Sequence, residues 1–270
     1  MADSVVLAGC GNMGFAMLQG WLKSGRLTPV DVYVVEPNQA LRDRAGALGA
    51  HVFADAGGLP AALDPALVIF AVKPQVMRDV VPAYGRFAGA NTAFLSIAAG
   101  TGMKVFEDIL GADAAIVRCM PNTPAAIGKG MMVTFANPNV TAAQKDMIAG
   151  LLATSGEVAA IDDEALMDAV TAVSGSGPAY VFHFIECLTA AGEAAGLPAD
   201  TAKLLAMQTV YGAGALAAAS EDPPGKLREQ VTSPGGTTAA ALGVLMGGDR
   251  LKTLMTEAVE AARKRGVELG

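Results

Sequence analysis

The sequence predicts an α/β fold: a doubly wound, mostly parallel sheet in the first part, then an all-helical second part. Three observations carry that expectation. Strand-like and helix-like segments alternate up to about residue 161. The first strand-like run ends in Gly9-Cys-Gly11-Asn-Met-Gly14. From Asp162 onward no segment has a convincing strand pattern. Alternation of this kind implies parallel strands covered by helices on both faces. Two domains are expected, residues 1–161 and residues 162–270.

Each element has its own reason. Val5–Ala8 is a short apolar run, and residues 15–24 have helical spacing. Val32–Val35 is β-branched and aromatic, as a buried strand requires. Residues 40–48 are helical. Residues 67–72 are strand-like and stop at Lys73-Pro74, because proline cannot donate to a ladder. Residues 92–97, 115–118 and 131–135 complete the strands. A helix over 164–173 is broken by Ser174-Gly-Ser-Gly-Pro178, and Pro178 suits the first turn of the next helix. That helix stops at Gly196, with Pro198 beyond it. Further helices are expected over 200–219, 226–230, 237–246 and 250–267.

Composition narrows the function classes. The 270 residues are ample for a core. Hydrophobic residues make up 52% of the chain, much of it alanine, and the mean hydropathy is +0.41. Such a chain needs very complete burial or a large subunit interface. The net charge is −7 and no Lys/Arg stripe forms, which argues against nucleic acid as a partner. Cys10, Cys119 and Cys187 are far apart and odd in number, so a disulfide framework is not expected. No His/Asp/Glu cluster suggests a metal. The N-terminus lacks the basic region of a signal peptide. The apolar stretch 179–192 holds His183 and Glu186 and is too short to span a bilayer. A cytoplasmic location is expected.

Gly9-Cys-Gly11-Asn12-Met13-Gly14 is G-x-G-x-x-G, following an apolar strand and opening a helix. In a Rossmann-type fold Gly9 makes the tight turn, Gly11 admits the pyrophosphate, and Gly14 lets helix and strand pack closely. Asn12 and Met13 lie in the same loop. Glu36 follows the next strand, which completes the dinucleotide fingerprint. Its carboxylate can accept hydrogen bonds from the adenosine ribose diol and repels a 2′-phosphate. NADH use is therefore expected. Arg42 or Arg44 could still reach a phosphate, which keeps NADPH open. Ala71, Val72, Lys73 and Pro74 end a later strand, on the edge where ligands of open parallel sheets sit, and are expected to line the nicotinamide side.

At the other end, Ser233-Pro-Gly235-Gly236-Thr237-Thr238 opens a helix. A hydroxyl-rich turn at a helix N-terminus is a ready anion site. Ser233 could equally cap that helix. Glu221 precedes a Pro-rich turn.

These stretches, with Arg118-Cys-Met-Pro-Asn122-Thr-Pro124 and Ser174-Gly-Ser-Gly-Pro-Ala-Tyr180, occur in order through nearly the whole chain. The chain resembles pyrroline-5-carboxylate reductases. The resemblance implies hydride transfer from NADH or NADPH to the C=N bond of a cyclic imine carboxylate, giving proline. It makes Thr238 and Glu221 the catalytic candidates. Ser233, Gly235, Gly236 and Thr237 join them around the substrate, and Asn122 borders the cofactor. It also implies an all-α C-terminal dimerisation domain and a homodimer at least, with rings of dimers a further step. Many members carry small polar or basic residues where Glu36 stands, which leaves cofactor preference open.

Three other readings remain. A reductase of a related cyclic imine acid would need the same pocket and donor. A β-hydroxyacid dehydrogenase would place a lysine where Val181 stands, and that lysine is missing. A non-catalytic dinucleotide-binding protein would not need the hydroxyl-rich turn.

Overall fold

The structure, a computed structural model, describes residues 4–89 and 91–269. In chain order the sheet part comprises β1 (Val5–Ala8), α1 (Asn12–Lys23), β2 (Val32–Val35), α2 (Gln39–Gly46), β3 (His51–Phe53) and β4 (Leu67–Phe70). It continues through α3 (Met77–Val80), β5 (Ala93–Ser96), α4 (Met103–Leu110), β6 (Ala115–Met120), β7 (Gly130–Ala136), α5 (Ala142–Leu152) and β8 (Gly156–Ala160). The eight strands lie in the order β3-β2-β1-β4-β5-β6-β7-β8. All neighbours are parallel except β6 and β7. Strand order reverses between β1 and β4, so the loops after these two strands open onto one crevice at the sheet's carboxyl edge.

Alternation along the strands supplies a core on each face. Leu7, Val34, Ile69 and Leu95 pack with Met17 and Trp21 of α1. The indole Nε1 of Trp21 donates to Leu151 O at 3.2 Å, so its one polar atom is satisfied on burial. On the other face, Val6, Phe70 and Phe94 pack with Tyr84 and with Phe106 of α4. Phe70 stacks on Phe94 and Phe106 and meets Tyr84 edge-on, at centroid distances of 6.1, 5.9 and 5.4 Å.

The sheet is larger than the sequence predicts. β3 and β8 are edge strands with half-exposed or exposed residues, so neither has the apolar run that marks a buried strand. His51 begins β3. The helix expected over 164–173 is three short pieces: a 3-10 turn (Glu164–Leu166), α6 (Met167–Val170) and a π-helical turn (Thr171–Gly175).

The remaining elements are α7 (Gly177–Ala194), α8 (Ala199–Ala219), α9 (Pro224–Gln230), α10 (Thr237–Met246) and α11 (Arg250–Leu269). The chain forms two compact units, Met1–Ser176 with Ala262–Gly270, and Gly177–Ala261. This division falls later than residue 161 because the segment 164–176 is tied to the sheet part. Glu164 accepts from Arg118 and from Met103 N, and Asn122 donates to Ser174. α11 begins in the second unit and ends in the first. Among the described residues of the second unit, only Ala202 and Ala206 are buried. His183 is exposed in the chain by itself and lies 3.0 Å from Glu186. No helix of the described residues is long and apolar enough to cross a membrane.

Candidate active site

The glycine loop separates steric need from ligand need. Gly9 has φ +92°, and a Cβ there would sit 2.7 Å from Ala71 O. A Cβ on Gly14 would sit 2.5 Å from Gly9 O. Both positions are closed to a side chain by the protein itself. Gly11 differs: nothing lies within 4 Å of its would-be Cβ. The space is open, as the approach of a pyrophosphate requires. Gly11 is also the N-cap of α1, which has no side-chain cap and no acidic residue in its first turn. The uncapped amides and the helix dipole therefore suit an anion, and the residues present fit a dinucleotide.

Glu36 is buried, and its carboxylate grips the loop. One oxygen accepts from Cys10 N at 2.8 Å and the other from Asn38 N at 2.9 Å. The carbonyl side of the same loop is held by Arg44, whose Nη2 donates to Cys10 O at 3.1 Å while the guanidinium stacks on Phe15 at 3.8 Å. Arg42 donates to the carbonyls of Glu36 and Pro37. The two arginines that could meet a phosphate are thus engaged with backbone oxygens, which the sequence did not reveal. Burial pushes the Cys10 thiol up to about 11; Arg44 opposes the shift and Glu36 adds to it. Burial likewise raises Cys119 to about 12.

The strand-end residues share one cleft. Met13, Ala71, Val72, Lys73 and Pro74 line one cleft of about 310 Å³. Ile97, Ala98 and Ala99, after β5, and Met120 and Pro121, at the end of β6, complete it. Position after a strand's carboxyl end was the signal for these. Asn12 lines a neighbouring cavity of about 360 Å³ with Phe15, Arg44 and Thr123. A larger cavity, about 690 Å³ between α1 and the 123–127 turn, holds none of the predicted site residues.

Asn122, expected to border the cofactor, has its side chain engaged within the protein. Its Oδ1 accepts from Met131 N at 2.9 Å, and its Nδ2 donates to Ser174 O and Oγ at 3.2 and 3.3 Å. It does not line the cleft with Met120 and Pro121.

In the second unit, Ser233 to Thr238 form one turn. Gly235 has φ +68°, which glycine adopts freely. Gly236, not Ser233, is the N-cap of α10, and no side chain caps the helix. Ser233 is therefore not spent as a cap. The expected use of the Gly236 amide meets a competitor, since it donates to Ser233 O at 3.0 Å. The first helical residues, Thr237 and Thr238, and the Ser233 hydroxyl remain as the groups for an anion. Glu221 lies in a separate exposed turn between α8 and α9.

This unit also exposes a series of large apolar side chains. They include Phe182 and Phe184 of α7, Leu204 and Tyr211 of α8, Val244 of α10 and Leu254 of α11. So many exposed large apolar side chains mark a unit that interacts with another surface.

Comparison with known proteins agrees with both ends of the chain. Residues 164–269 match the family model described as pyrroline-5-carboxylate reductase dimerisation, and residues 4–100 match NADP oxidoreductase coenzyme F420-dependent. The chain is 39% identical over 266 residues to a pyrroline-5-carboxylate reductase of Pseudomonas aeruginosa, covering 98% of this chain and 96% of that one. It is 35% identical over 250 residues to that of Escherichia coli, covering 91% and 90%. A solved pyrroline-5-carboxylate reductase from Coxiella burnetii superposes with a TM-score of 0.94 at 34% identity, covering 100% and 99%. The Plasmodium falciparum pyrroline carboxylate reductase with NADP bound superposes at 0.84 with 29% identity, covering 99% and 98%.

Proposed function

The chain belongs to the pyrroline-5-carboxylate reductase family, and from that premise we propose how its residues divide the work. The protein is an NAD(P)H-dependent oxidoreductase that reduces 1-pyrroline-5-carboxylate to proline, the last step of proline biosynthesis. The reduced nicotinamide supplies the hydride. Gly9, Gly11, Asn12, Met13 and Gly14 hold the pyrophosphate on α1. Ala71, Val72, Lys73 and Pro74 wall the nicotinamide side, and Asn122 braces that side rather than offering its amide. Glu36 meets the adenosine ribose and makes NADH a good donor. Support for this comes from its fixed carboxylate, which leaves a 2′-phosphate facing a buried negative charge.

The substrate carboxylate is assigned to Ser233 and the first turn of α10, with Gly235 and Gly236 shaping the bend. The observation that carries this assignment is the absence of any side-chain cap on that helix beside three hydroxyls. An imine carbon is more electron-poor when its nitrogen is hydrogen-bonded or protonated. The Thr238 hydroxyl is assigned to that nitrogen, and Glu221 favours its cationic form, directly or through water.

The second unit, within the expected 162–270 domain, acts as the assembly surface of a homodimer, with rings of dimers as the larger form. Its exposed apolar faces and its match to a dimerisation family support this. The cytoplasm is the proposed location. The reaction is tested by NAD(P)H oxidation with pyrroline-5-carboxylate beside a six-membered imine acid, and by NAD(P)+ reduction with a β-hydroxyacid. Fastest turnover is expected with the five-membered imine. Preference for the six-membered ring would hand the reading to a related imine reductase.

A further inference from the structure

We infer that Glu164 is a positioning residue for hydride transfer, holding the wall of the nicotinamide cleft from a distance in sequence. The inference rests on reading the 310 Å³ cleft as the nicotinamide seat. The wall in question is the segment 97–102, which joins β5 to α4 and brings Ile97, Ala98 and Ala99 to the cleft. Its near end is pinned by the sheet, since Ile97 N donates to Phe70 O at 3.1 Å. Its far end is Gly102, the N-cap of α4, which has no cap of its own. Glu164 fills that role: Oε1 accepts from Met103 N at 2.7 Å. A carboxylate at a helix N-terminus is favoured by both the free amide and the dipole.

The same Oε1 accepts from Arg118 Nη1 at 2.5 Å. The Arg118 side chain is nine-tenths buried, so removing its carboxylate would leave a charge with its designed partner lost. Arg118 and Met120 stand on one face of β6, two residues apart, and Met120 lines the cleft. One carboxylate thus fastens both the β5 wall and the β6 wall. Neither donor is near Glu164 in the chain: the separations are 61 and 46 residues. Near the middle of the segment, Gly100, at φ +71°, packs close to Leu269; an added Cβ would lie 3.3 Å from the Leu269 oxygen. Displacing a hydride donor by about 1 Å can cost on the order of 100-fold in rate, so loosening this wall acts on the chemical step.

The test uses the full chain with Glu164→Ala, Glu164→Gln and Ala99→Phe. Each is followed by kcat, KM for both substrates, Tm, and the deuterium isotope effect on kcat with NADH labelled at the transferred position. Glu164→Ala is expected to lower kcat roughly 10- to 100-fold, with a raised isotope effect and KM for the imine little changed. Glu164→Gln keeps an oxygen for Met103 N but loses the ion pair. It should lower kcat about 3- to 10-fold, again with a raised isotope effect. A purely structural role would lower Tm and the active fraction while leaving the isotope effect unmoved. Ala99 is exposed and lines the cleft, so Ala99→Phe fills that space with little strain and should abolish turnover. If Ala99→Phe is inactive but Glu164→Gln matches the parent in kcat and isotope effect, the positioning role is overturned. If Ala99→Phe turns over normally, the cleft does not seat the nicotinamide, and the inference falls with that reading. Should Glu164→Ala fail to fold, Glu164→Gln decides alone.

Discussion

The two units of this chain solve the burial problem differently. The first encloses two aromatic and aliphatic cores, one on each face of its sheet. The second buries only Ala202 and Ala206 among its described residues and leaves Phe182, Phe184, Leu204 and Tyr211 exposed. A sheet with helices on both faces is complete within one chain. Long alanine-rich helices without a covering layer are not, and their apolar faces need a second molecule. The high hydrophobic content of the sequence is therefore two different signals added together.

The comparison can be broken or sharpened by experiment. Leu204→Asp should have the largest effect, because it places an unpaired carboxylate on the face assigned to the partner. Loss of the dimer in light scattering, together with loss of activity, is the expected outcome. A dimer unmoved by both Leu204→Asp and Phe184→Asp would mean that another surface assembles the protein. Next, Thr238→Ala should lower kcat/KM for the imine by roughly 10- to 1000-fold while NADH binding in the first unit stays intact. Equal damage to both would show that the units do not divide substrate and cofactor.

Glu36→Ser should give a smaller change, a shift of the NADPH-to-NADH ratio of kcat/KM toward NADPH. The shift comes with weaker binding of both cofactors, because the Cys10 and Asn38 amides lose their acceptor. An unchanged ratio would remove Glu36 from the ribose. The smallest effect is on pH dependence. Cys10 and Cys119 both lie in the first unit, and folding raises their thiols from 9.0 to about 11 and about 12. Folding therefore favours the neutral thiol. That stabilisation is complete below pH 9 and is lost as pH climbs through the folded values. Tm should fall between pH 9 and pH 12, and the fall should flatten in Cys10→Ala/Cys119→Ala; a Tm indifferent to alkali would refute the shifts.

Legibility in the sequence followed burial. β1 and β2 match their apolar runs residue for residue, because a strand covered on both faces has no polar positions to confuse the pattern. β8, Gly-Glu-Val-Ala-Ala, has no such run and went unseen; an edge strand is stabilised by the ladder it joins. β7 reads as a strand in sequence, but only the 123–127 turn before it makes it antiparallel to β6. At the site, Gly9 to Gly14 and Ala71 to Pro74 were legible because local motifs and strand ends encode them. Glu164, Arg118 and the grip of Arg44 were not. Their partners are 34 to 61 residues away, and no local periodicity records such a pairing.

The open space above Gly11 sets apart two things that mutation usually confounds. With φ −64° and no neighbour within 4 Å, that position accepts a methyl group without a clash in the chain, at only the modest cost of alanine at a helix N-cap, whereas a dinucleotide passing over it would collide. Gly11→Ala is thus a lesion mainly to the ligand. Subunits carrying it can be blended with intact ones, and the decline of activity with blending ratio counts how many competent nucleotide seats each assembled particle requires.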